Sequence, residues 1–475
     1  MTSSGKDYKF EPFKITEVEC RSFASPRPRS GHRIACDDDR IYCFGGYNPY
    51  LPLNTIQRNN PTWTPAMPLF KELWSFSIAS RKWTLHEVVE NMPEELASNA
   101  MCMSGRYLMI YGGTGAPFGN KCGNDVITWR TCDGDAKFEV LDVTGPRPPG
   151  QYGQSILCHN GAFYTIGGTN GYAYNCDIYR WVLLIYLAKH IFRQAIQMVL
   201  IKEMIYCVCL SICLLAFHGP TVQPIMTKFG TVIASIPGKD IGYFLSRKIK
   251  EFPWDSRASS YLRTMVWEPV YVGTGQEGEP IGRYRHEVVR VGEKLYIIGG
   301  GTGEWAFELM KIPMYDLETK TWTIMRPKAD DSMIHTVQPL ARKCHSAVQI
   351  DTPSGVQVFV AGGTDGQSVF NDIWRLNISD MHWHLMQKTV LPQPLYFHSS
   401  AVTSYGCMYM FGGIEPKDVE TRRTNILYKV WLCIPKLSEI CWEAMLNFYP
   451  SMDKVNRSSL LNVGIPRHFV DRLHT

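Results

Sequence analysis

The stretch IYCFGG, residues 41–46, decides how this chain folds, because its pattern of an apolar run closed by two glycines returns five more times. The other runs are YLMIYGG (107–113), AFYTIGG (162–168), LYIIGG (295–300), VQVFVAGG (356–363) and MYMFGG (408–413). Alternating β-branched and aromatic residues favour short strands, and paired glycines allow neighbouring backbones to approach closely. Six copies of one unit predict a repeat architecture made largely of β-strands.

After most pairs comes a second strand and then an aromatic residue, as in LWSFSIASRKW, YDLETKTW and DIWRLNISDMHW. A tryptophan on an outer strand is suited to covering the surface between adjacent units. The pattern resembles the kelch repeat over residues 21–433, and six copies imply an all-β, six-bladed β-propeller with four-stranded blades. Such propellers usually close by borrowing a strand across the termini. We therefore expect residues 10–20, FEPFKITEVEC, to form the outer strand of the last blade.

Composition places the chain among globular proteins, with 475 residues, 45% hydrophobic and 20% charged. The formal net charge of +5 gives no electrostatic reason to expect binding to nucleic acid or to a membrane. The N-terminal MTSSGK is polar and does not resemble a signal peptide, and the 15 cysteines lack zinc-finger spacing. These features predict reduced cysteines and an intracellular protein. We expect it in the cytoplasm and the nucleus.

The spacing of the repeat is interrupted in blade three. The aromatic residues Trp74 and Trp83 of blade one lie nine positions apart, whereas Tyr179 and Trp267 of blade three lie 88 apart. The excess of 79 fits an insertion over residues 181–259. This position between the third and fourth strands predicts that the insertion leaves the propeller on the face opposite the ligand-binding loops.

The inserted segment is strongly apolar over residues 182–217, which raises the alternative of a membrane span. Its longest uncharged stretch, residues 204–217, has 14 residues, whereas a helix needs about 20 to cross a bilayer. We therefore expect no membrane association and favour sequence foreign to the fold, such as an unspliced or alternative exon.

A ring of polar residues lies thirteen positions before the first glycine of each pair in blades one to four, and 17 and 14 positions before it in blades five and six. Its members are His32, Asn99, Gln154, His286, His345 and His398. Four histidines raise the alternative of a metal site, but no carboxylate or thiol recurs beside them. We predict structural hydrogen bonds here, with no metal and no other cofactor.

Three residues before this ring, the repeat places arginines at equivalent positions, and we expect them to converge on the mouth of the central channel. They are Arg29, Arg283 and Arg342, with Arg285 added in blade four. Loops after the glycine pairs add the aromatic residues Tyr47, Tyr172 and Trp305. Guanidinium groups grip a carboxylate or phosphate in bidentate fashion, which favours a peptide pocket over a catalytic site. The alternative is that each arginine pairs with an acidic residue of a nearby loop.

The C-terminal segment, residues 434–475, changes from strand to helix periodicity. Leu437, Cys441 and Met445 recur every four residues, which is the spacing of one face of an amphipathic helix. This stripe resembles the box that docks receptors onto elongin B and elongin C, in which the leucine anchors and the small cysteine permits close approach. The family pattern usually has Ser, Thr or Pro before the leucine, whereas this chain has Lys436.

A second element, IPRHFVDRL, follows about twenty residues later and resembles the box by which such receptors select cullin-2. Its matching residues are Ile465, Pro466, Phe469 and Leu473. The proline suits the first turn of a helix, and Phe469 and Leu473 lie one turn apart on one face. The alternative is a helical cap that packs under the propeller.

Together, the repeats and the two boxes are similar to the kelch-repeat substrate receptors of cullin-2 ubiquitin ligases. That resemblance implies a non-catalytic adaptor that binds elongin B/C, cullin-2 and the C-terminal tails (C-degrons) of substrates ending in small residues such as glycine or alanine. Two alternatives remain open. One is a kelch scaffold in stress-kinase signalling or cytoskeletal interactions, and the other is a copper oxidase, for which no Tyr/His/Cys constellation can be assembled.

Overall fold

The computed structural model describes residues 8–51, 63–86, 91–131, 138–183, 265–332, 335–417 and 420–474. Six sheets follow one another along the chain, and the first strands of successive blades contact each other around a ring. The predicted six-bladed β-propeller is therefore confirmed, with three short helices at its C-terminal end.

Blades one to three are antiparallel sheets with their strands in sequence order. Blade one comprises β2 (Arg33–Cys36), β3 (Arg40–Phe44), β4 (Leu73–Ser77) and β5 (Lys82–His86). Blade two comprises β6 (Ala100–Ser104), β7 (Tyr107–Tyr111), β8 (Val126–Arg130) and β9 (Glu139–Val140). Blade three comprises β11 (Ser155–His159), β12 (Ala162–Thr169), β13 (Tyr174–Leu183) and β14 (Met265–Tyr271), and β10 (Val143–Thr144) pairs parallel to its outer edge.

Blades four to six repeat this arrangement, except that blade six takes its outermost strand from the N-terminal segment. Blade four comprises β15 (Glu287–Val291), β16 (Lys294–Ile298), β17 (Ile312–Asp316) and β18 (Thr321–Met325). Blade five comprises β19 (Ser346–Thr352), β20 (Gly355–Ala361), β21 (Ile373–Asn377) and β22 (His382–Leu385). Blade six comprises β23 (Ser399–Val402), β24 (Cys407–Phe411), β27 (Leu427–Trp431) and β1 (Thr16–Glu17), with a ribbon of β25 (Ile414–Lys417) and β26 (Glu420–Arg423) between β24 and β27.

Closure of the ring depends on β1, which pairs antiparallel with β27 so that Thr16 lies opposite Lys429. The backbone N–H of Phe13 also donates to the Trp431 carbonyl at 2.9 Å. The first and last parts of the propeller are therefore held in one sheet. This strand lies within residues 10–20, the range that the sequence predicts for it.

The core consists of apolar clusters between neighbouring blades. Between blades one and two, for example, Phe44 packs edge-on against Phe138 with ring centroids 5.6 Å apart. The glycine pairs are needed at these junctions. Gly45 has φ +64°, and a Cβ there would lie 2.3 Å from the Leu96 carbonyl oxygen of the next blade. The pair therefore permits both the backbone conformation and the contact between blades.

The predicted interruption of blade three lies outside the residues that the structure describes. The third strand runs to Leu183, the fourth begins at Met265, and Trp181 pairs with Trp267 between them. The predicted insertion, residues 181–259, falls almost wholly in 184–264, as does the alternative membrane span, and both stay predictions. Within the described ranges, no helix has the length and apolar character needed to cross a bilayer.

The C-terminal segment forms α1 (Leu437–Phe448), α2 (Arg457–Asn462) and α3 (Arg467–His474), with a 3₁₀ turn at Met452–Lys454. These helices pack against the turns β2–β3 and β23–β24, because Arg472 of α3 contacts Asp39 and Tyr405 there. We call this side of the propeller the tail face. The opposite side, with the residues that precede each first strand, is the mouth face.

Candidate functional site

Six residues, one per blade, close a ring of backbone hydrogen bonds around the propeller axis on the mouth face. They are Gly31, Ser98, Gly153, Arg285, Cys344 and Phe397, which we call the axial ring. Each N–H donates to the carbonyl of the preceding member at 2.7 to 3.2 Å, and the N–H of Gly31 donates to Phe397. All six have φ between 54° and 67°, a left-handed conformation that four non-glycine residues adopt here. The ring places four side chains, those of Ser98, Arg285, Cys344 and Phe397, at the channel mouth.

The side chain of Arg285 lies across this mouth. Its Nη2 donates to Ser98 Oγ across the ring, and its guanidinium carbon lies 4.7 Å from the ring centre of Phe397. The residue is 6% exposed, and its Nε has no hydrogen-bond partner among the described residues. Burial, and then the nearby Arg33, lower the pKa of Arg285 to about 10, so it remains charged at neutral pH. Arg285 is thus a buried cation at the centre of the mouth.

A second layer closes the channel beneath Arg285. Arg33 and Glu287 begin the first strands of blades one and four. Each comes two residues after the axial-ring member of its blade, which places it roughly 7 Å farther along the channel. Arg33 Nη1 lies 2.7 Å from Glu287 Oε1, so this ion pair crosses the channel between opposite blades. Arg33 Nε also donates to the Asn99 carbonyl at 3.2 Å. The Arg33–Glu287 pair therefore lies as a floor across the channel beneath Arg285.

Four residues of the polar ring, which lies between these two layers, make hydrogen bonds between blades: His32, Gln154, His286 and His398. His32 Nε2 lies 3.0 Å from the Phe411 carbonyl oxygen, and His286 Nε2 lies 3.1 Å from that of Ile166. Burial lowers the pKa of His286 to about 3, so this side chain is neutral at physiological pH. In the described part of the chain, no group of three or more His, Cys, Asp or Glu side chains is placed to hold a metal ion.

Two of the predicted tail-binding arginines do not join Arg285 at the mouth. Arg29 donates to the Gly45 carbonyl at 2.9 Å and pairs with Glu72 at 2.7 Å. Arg342 repeats the arrangement in blade five, donating to a glycine carbonyl and to both oxygens of Asp372 at 2.6 and 3.0 Å. Each side chain is fully buried within its blade. These two guanidinium groups therefore make their hydrogen bonds and ion pairs inside the propeller.

Arg283 occupies the same place in blade four but has no acidic partner among the residues that the structure describes. It donates to the Gly299 carbonyl at 3.0 Å, and its guanidinium carbon lies 4.3 Å from the Phe307 ring centre. The strand register puts Lys311 where blades one and five have an acid. Among the described residues, no carboxylate oxygen lies within 4 Å of Arg283 or Arg285. Blade four therefore brings two buried positive charges toward the mouth.

The predicted aromatic residues lie on the mouth face at different depths. Tyr47 packs against Phe118 with centroids 4.8 Å apart, and the guanidinium carbon of Arg423 lies 5.1 Å from its ring centre. Tyr172 is 88% exposed and Trp305 is 68% exposed. These two side chains have surface available for a ligand, whereas Tyr47 is partly covered.

Further residues at the mouth were not predicted, although the repeat provides a signal for them. Tyr152, Tyr284 and Tyr396 occupy the position just before the axial ring, one residue beyond the predicted arginine position. Tyr152 and Tyr284 pack edge to face with centroids 6.4 Å apart. Arg423 donates to Ser30 Oγ at 3.0 Å, beside the axial ring. Arg423 is the last residue of the β25–β26 ribbon, which has no counterpart in the repeat, so no repeat position identifies it.

On the other side of the molecule, α1 divides its side chains between solvent and the protein. Leu437 is 73% exposed and Cys441 is exposed, whereas Trp442 and Leu446 are buried. Met445 is half-buried and packs against the same cluster as the buried pair. Two of the three predicted elongin-binding residues are thus available to a partner.

The cullin-2 box residues are distributed differently. Phe469 and Leu473 are buried, and Phe469 stacks on Trp442 of α1 with ring centroids 4.9 Å apart. Pro466 is exposed at the start of α3, where its carbonyl accepts from the Phe469 N–H at 3.0 Å, and Ile465 is half-buried. The box residues therefore lie partly inside the tail and partly on its surface.

Comparison with known proteins agrees with this architecture. The sequence matches the KLHDC2/KLHL20/DRC7 Kelch-repeats domain over residues 8–168 and 259–443. It is 34% identical over 484 residues to the Kelch domain-containing protein 10 homolog of Drosophila melanogaster, covering 98% of this chain and 66% of that protein. The Mus musculus Kelch domain-containing protein 10 is 32% identical over 454 residues, covering 95% and 82%. The Rattus norvegicus protein of that name is 32% identical over 449 residues, covering 94% and 86%.

The chain thus spans just under two thirds of the fly relative and more than four fifths of the two mammalian relatives. The repeats and terminal boxes also predict a resemblance to Kelch domain-containing protein 10, and these matches confirm it. This chain is a kelch-repeat protein and belongs to the family described by the KLHDC2/KLHL20/DRC7 Kelch-repeats domain.

Proposed function

We propose that this chain is the substrate-recognition subunit of a cullin-2 RING ubiquitin ligase in the cytoplasm and nucleus. The propeller binds C-terminal tails of substrates, α1 binds elongin B/C, and the chain performs no chemistry itself. The observation that carries the proposal is the division of α1 into a buried face and an exposed stripe. A second observation supports the choice of substrate: among the described residues, neither buried arginine of blade four has a carboxylate oxygen within 4 Å.

The exposed stripe fits a helix-in-groove partner. Leu437 offers a large apolar side chain to solvent, and Cys441 lies one turn later on the same face. Burying a leucine in a partner groove contributes roughly 1.5–3 kcal/mol, and a small neighbour lets the partner helix approach. Because Trp442 and Leu446 already hold the opposite face, the helix is ordered before the partner arrives.

The mouth fits an anionic chain terminus. A buried cation without a carboxylate partner is costly, and an incoming carboxylate reduces that cost by charge-assisted hydrogen bonds. Arg285 is placed for this role at the centre of the axial ring, with Arg423 at the rim. The Arg33–Glu287 floor limits the depth of the pocket, which favours a small last residue such as glycine or alanine. Tyr172 and Trp305 provide aromatic surface for the preceding residues.

For cullin-2, we separate the residues of the second box into those that pack inside the tail and those that offer a contact surface. Phe469 and Leu473 hold α3 against α1, and the exposed Pro466 with the half-buried Ile465 offers the contact surface. We assign cullin-2 to this surface because it lies on the same tail as the elongin stripe. Elongin B/C and cullin-2 then bind to the same packed group of C-terminal helices.

The first experiment captures elongin B/C and cullin-2 with the full chain and with a Leu437→Ala, Cys441→Ala double variant. We expect the double variant to lose elongin, and cullin-2 with it. Val463→Ala is the matched control, because Val463 is an exposed apolar residue of the tail outside α1. Capture of neither partner by the unchanged chain would favour the alternative of a kelch scaffold.

A second experiment measures binding of peptides that end in glycine or alanine, with a free or an amidated C-terminus. We expect the free carboxylate to bind more tightly, by about tenfold or more, since a charge-assisted bidentate contact is worth at least 1.4 kcal/mol. Arg285→Gln removes this difference. Arg106→Gln, an exposed arginine in the β6–β7 turn on the tail face, leaves it intact. Equal binding of both peptides to the unchanged chain contradicts carboxylate recognition.

A further inference from the structure

Arg472 of α3 joins the C-terminal helices to two blades at once. Its Nη1 and Nη2 donate to the Glu439 carboxylate at 2.7 and 3.1 Å, and its Nε lies 3.5 Å from Asp39 Oδ1. Its guanidinium carbon also lies 5.0 Å from the ring centres of both Tyr405 and Phe469. One side chain thus contacts α1, its own helix, blade one and blade six.

These contacts are largely removed from water. The side chains of Arg472 and Glu439 are only 14% and 12% exposed, and that of Asp39 is 32% exposed. Ion pairs in such positions are screened less by salt than surface pairs are. The bidentate geometry with Glu439 also fixes the plane of the guanidinium group. The arrangement therefore restrains orientation as well as distance.

Two further attachments fasten the tail to the same pair of blades. Lys82 of blade one pairs with Asp453 of the 3₁₀ turn at 2.5 Å. In blade six, Lys429 pairs with Glu443 of α1, and Trp431 Nε1 donates to the same carboxylate at 2.7 Å. With Arg472, the tail is held at three separate places on the tail face. A body held at three places is restrained against rotation.

We infer that Arg472 is a positioning residue that sets the direction in which α1 presents its exposed stripe relative to the mouth. This inference rests on the proposed function and adds a geometric requirement to it. The mouth and the stripe lie on opposite faces, so a substrate held at one is carried at a fixed angle to the partners held at the other. Such tethering raises the effective concentration of substrate at the transferring enzyme only when the geometry is correct.

The test separates orientation from binding. Spin labels are introduced as non-canonical amino acids at positions 172 and 463, both strongly exposed, and the distance distribution between them is measured in the full chain. The variants are Arg472→Gln and Asp39→Asn, of which the second removes only the contact of Arg472 with blade one. Arg457→Gln is the control, because its exposed ion pair with Asp471 joins parts of the tail and does not reach the propeller.

The same substitutions, made in the chain without spin labels, are then tested for elongin capture, tail-peptide binding and ubiquitylation of a substrate in a reconstituted ligase. We expect Arg472→Gln and Asp39→Asn to broaden the distance distribution and to slow ubiquitylation about fivefold or more, with both binding steps changed less than twofold. The control variant should match the unchanged chain in all four measurements. A merely structural role would change binding and ubiquitylation together.

An unchanged distance distribution in both variants would overturn the inference, whatever the partners do. A broadened distribution with an unchanged ubiquitylation rate would overturn it as well, because orientation would then have no consequence for transfer. Failure of the unchanged chain to capture elongin is a different result. It would overturn the proposed function and the role of Arg472 in transfer, while the distance measurement would still report whether Arg472 holds the tail.

Discussion

Replacing two buried histidines by glutamine should make the propeller more resistant to mild acid. Burial lowers the pKa of His286 and of His398 to about 3. The unfolded chain takes up a proton on each histidine near pH 6.5, whereas the folded chain does not. The contribution of these residues to stability is therefore complete above pH 6.5. It is lost as the pH falls from there toward 3.

The size of the effect follows from proton linkage. Between pH 7.5 and pH 5.5, each such histidine lowers the free energy of unfolding by about 1.4 kcal/mol, and two lower it by about 2.7 kcal/mol. Burial lowers the pKa of His32 and His345 in the same direction, so the unchanged chain loses more than this. Acid sensitivity is thus shared by the four histidines of the polar ring.

The chain itself contains the appropriate substitution. Gln154 occupies the equivalent position in blade three, where its Nε2 donates to the Tyr111 carbonyl at 2.8 Å. Glutamine therefore fits the position, makes the bond between blades and cannot be protonated in this pH range. The double variant His286→Gln, His398→Gln keeps the polar ring and removes two titrating groups.

Urea unfolding followed by tryptophan fluorescence at pH 7.5 and 5.5 measures the difference. We expect the double variant to lose about 2.7 kcal/mol less than the unchanged chain over this interval. His335→Gln, at an exposed histidine between β18 and β19, should lose as much as the unchanged chain. Equal losses in the double variant and the unchanged chain would refute the reasoning, since the histidines would then titrate alike in the folded and unfolded states.

Three further substitutions test the packing. Gly45→Ala should destabilise the propeller by more than about 2 kcal/mol, since the backbone is left-handed and a carbonyl of blade two lies 2.3 Å from the new Cβ; thermal unfolding measures it. Asp372→Asn should cost about 3 kcal/mol in urea unfolding because it leaves Arg342 buried without its carboxylate, and a loss below 1 kcal/mol would show that the guanidinium finds other partners. Phe469→Ala should cost roughly 3–5 kcal/mol in the tail by removing the ring stacked on Trp442, detected as faster hydrogen exchange in α1 with the blades unchanged.

The blade count and strand order could be predicted from the sequence because each glycine pair marks a local event. Gly45 needs its backbone conformation and its close contact whatever happens elsewhere in the chain. The partners of the arginines are not local in this sense. Arg29 meets an acid 43 residues away, and the register of the strands decides that Arg283 has Lys311 in the corresponding place. Equivalent arginines therefore have different surroundings.

The tail shows a second limit of sequence periodicity. A stripe repeated every four residues indicates which side chains share a helix face, but not whether that face meets the same chain or a partner. For Leu437 the face is open to solvent, whereas for Phe469 it is filled by Trp442. The difference depends on how α3 docks on α1, which involves residues about 30 positions apart.

The axial ring has a consequence for how such a propeller can change its ligand. The ring bonds use only backbone N–H and carbonyl groups. The fold therefore requires a left-handed backbone conformation at each position but does not require a particular side chain. Glycine, serine, arginine, cysteine and phenylalanine all satisfy it in this one chain. A non-glycine residue costs roughly 1–2 kcal/mol there, which a stable propeller tolerates. Six positions facing one mouth can therefore vary independently of the fold, and recognition can diverge among relatives while the architecture stays the same.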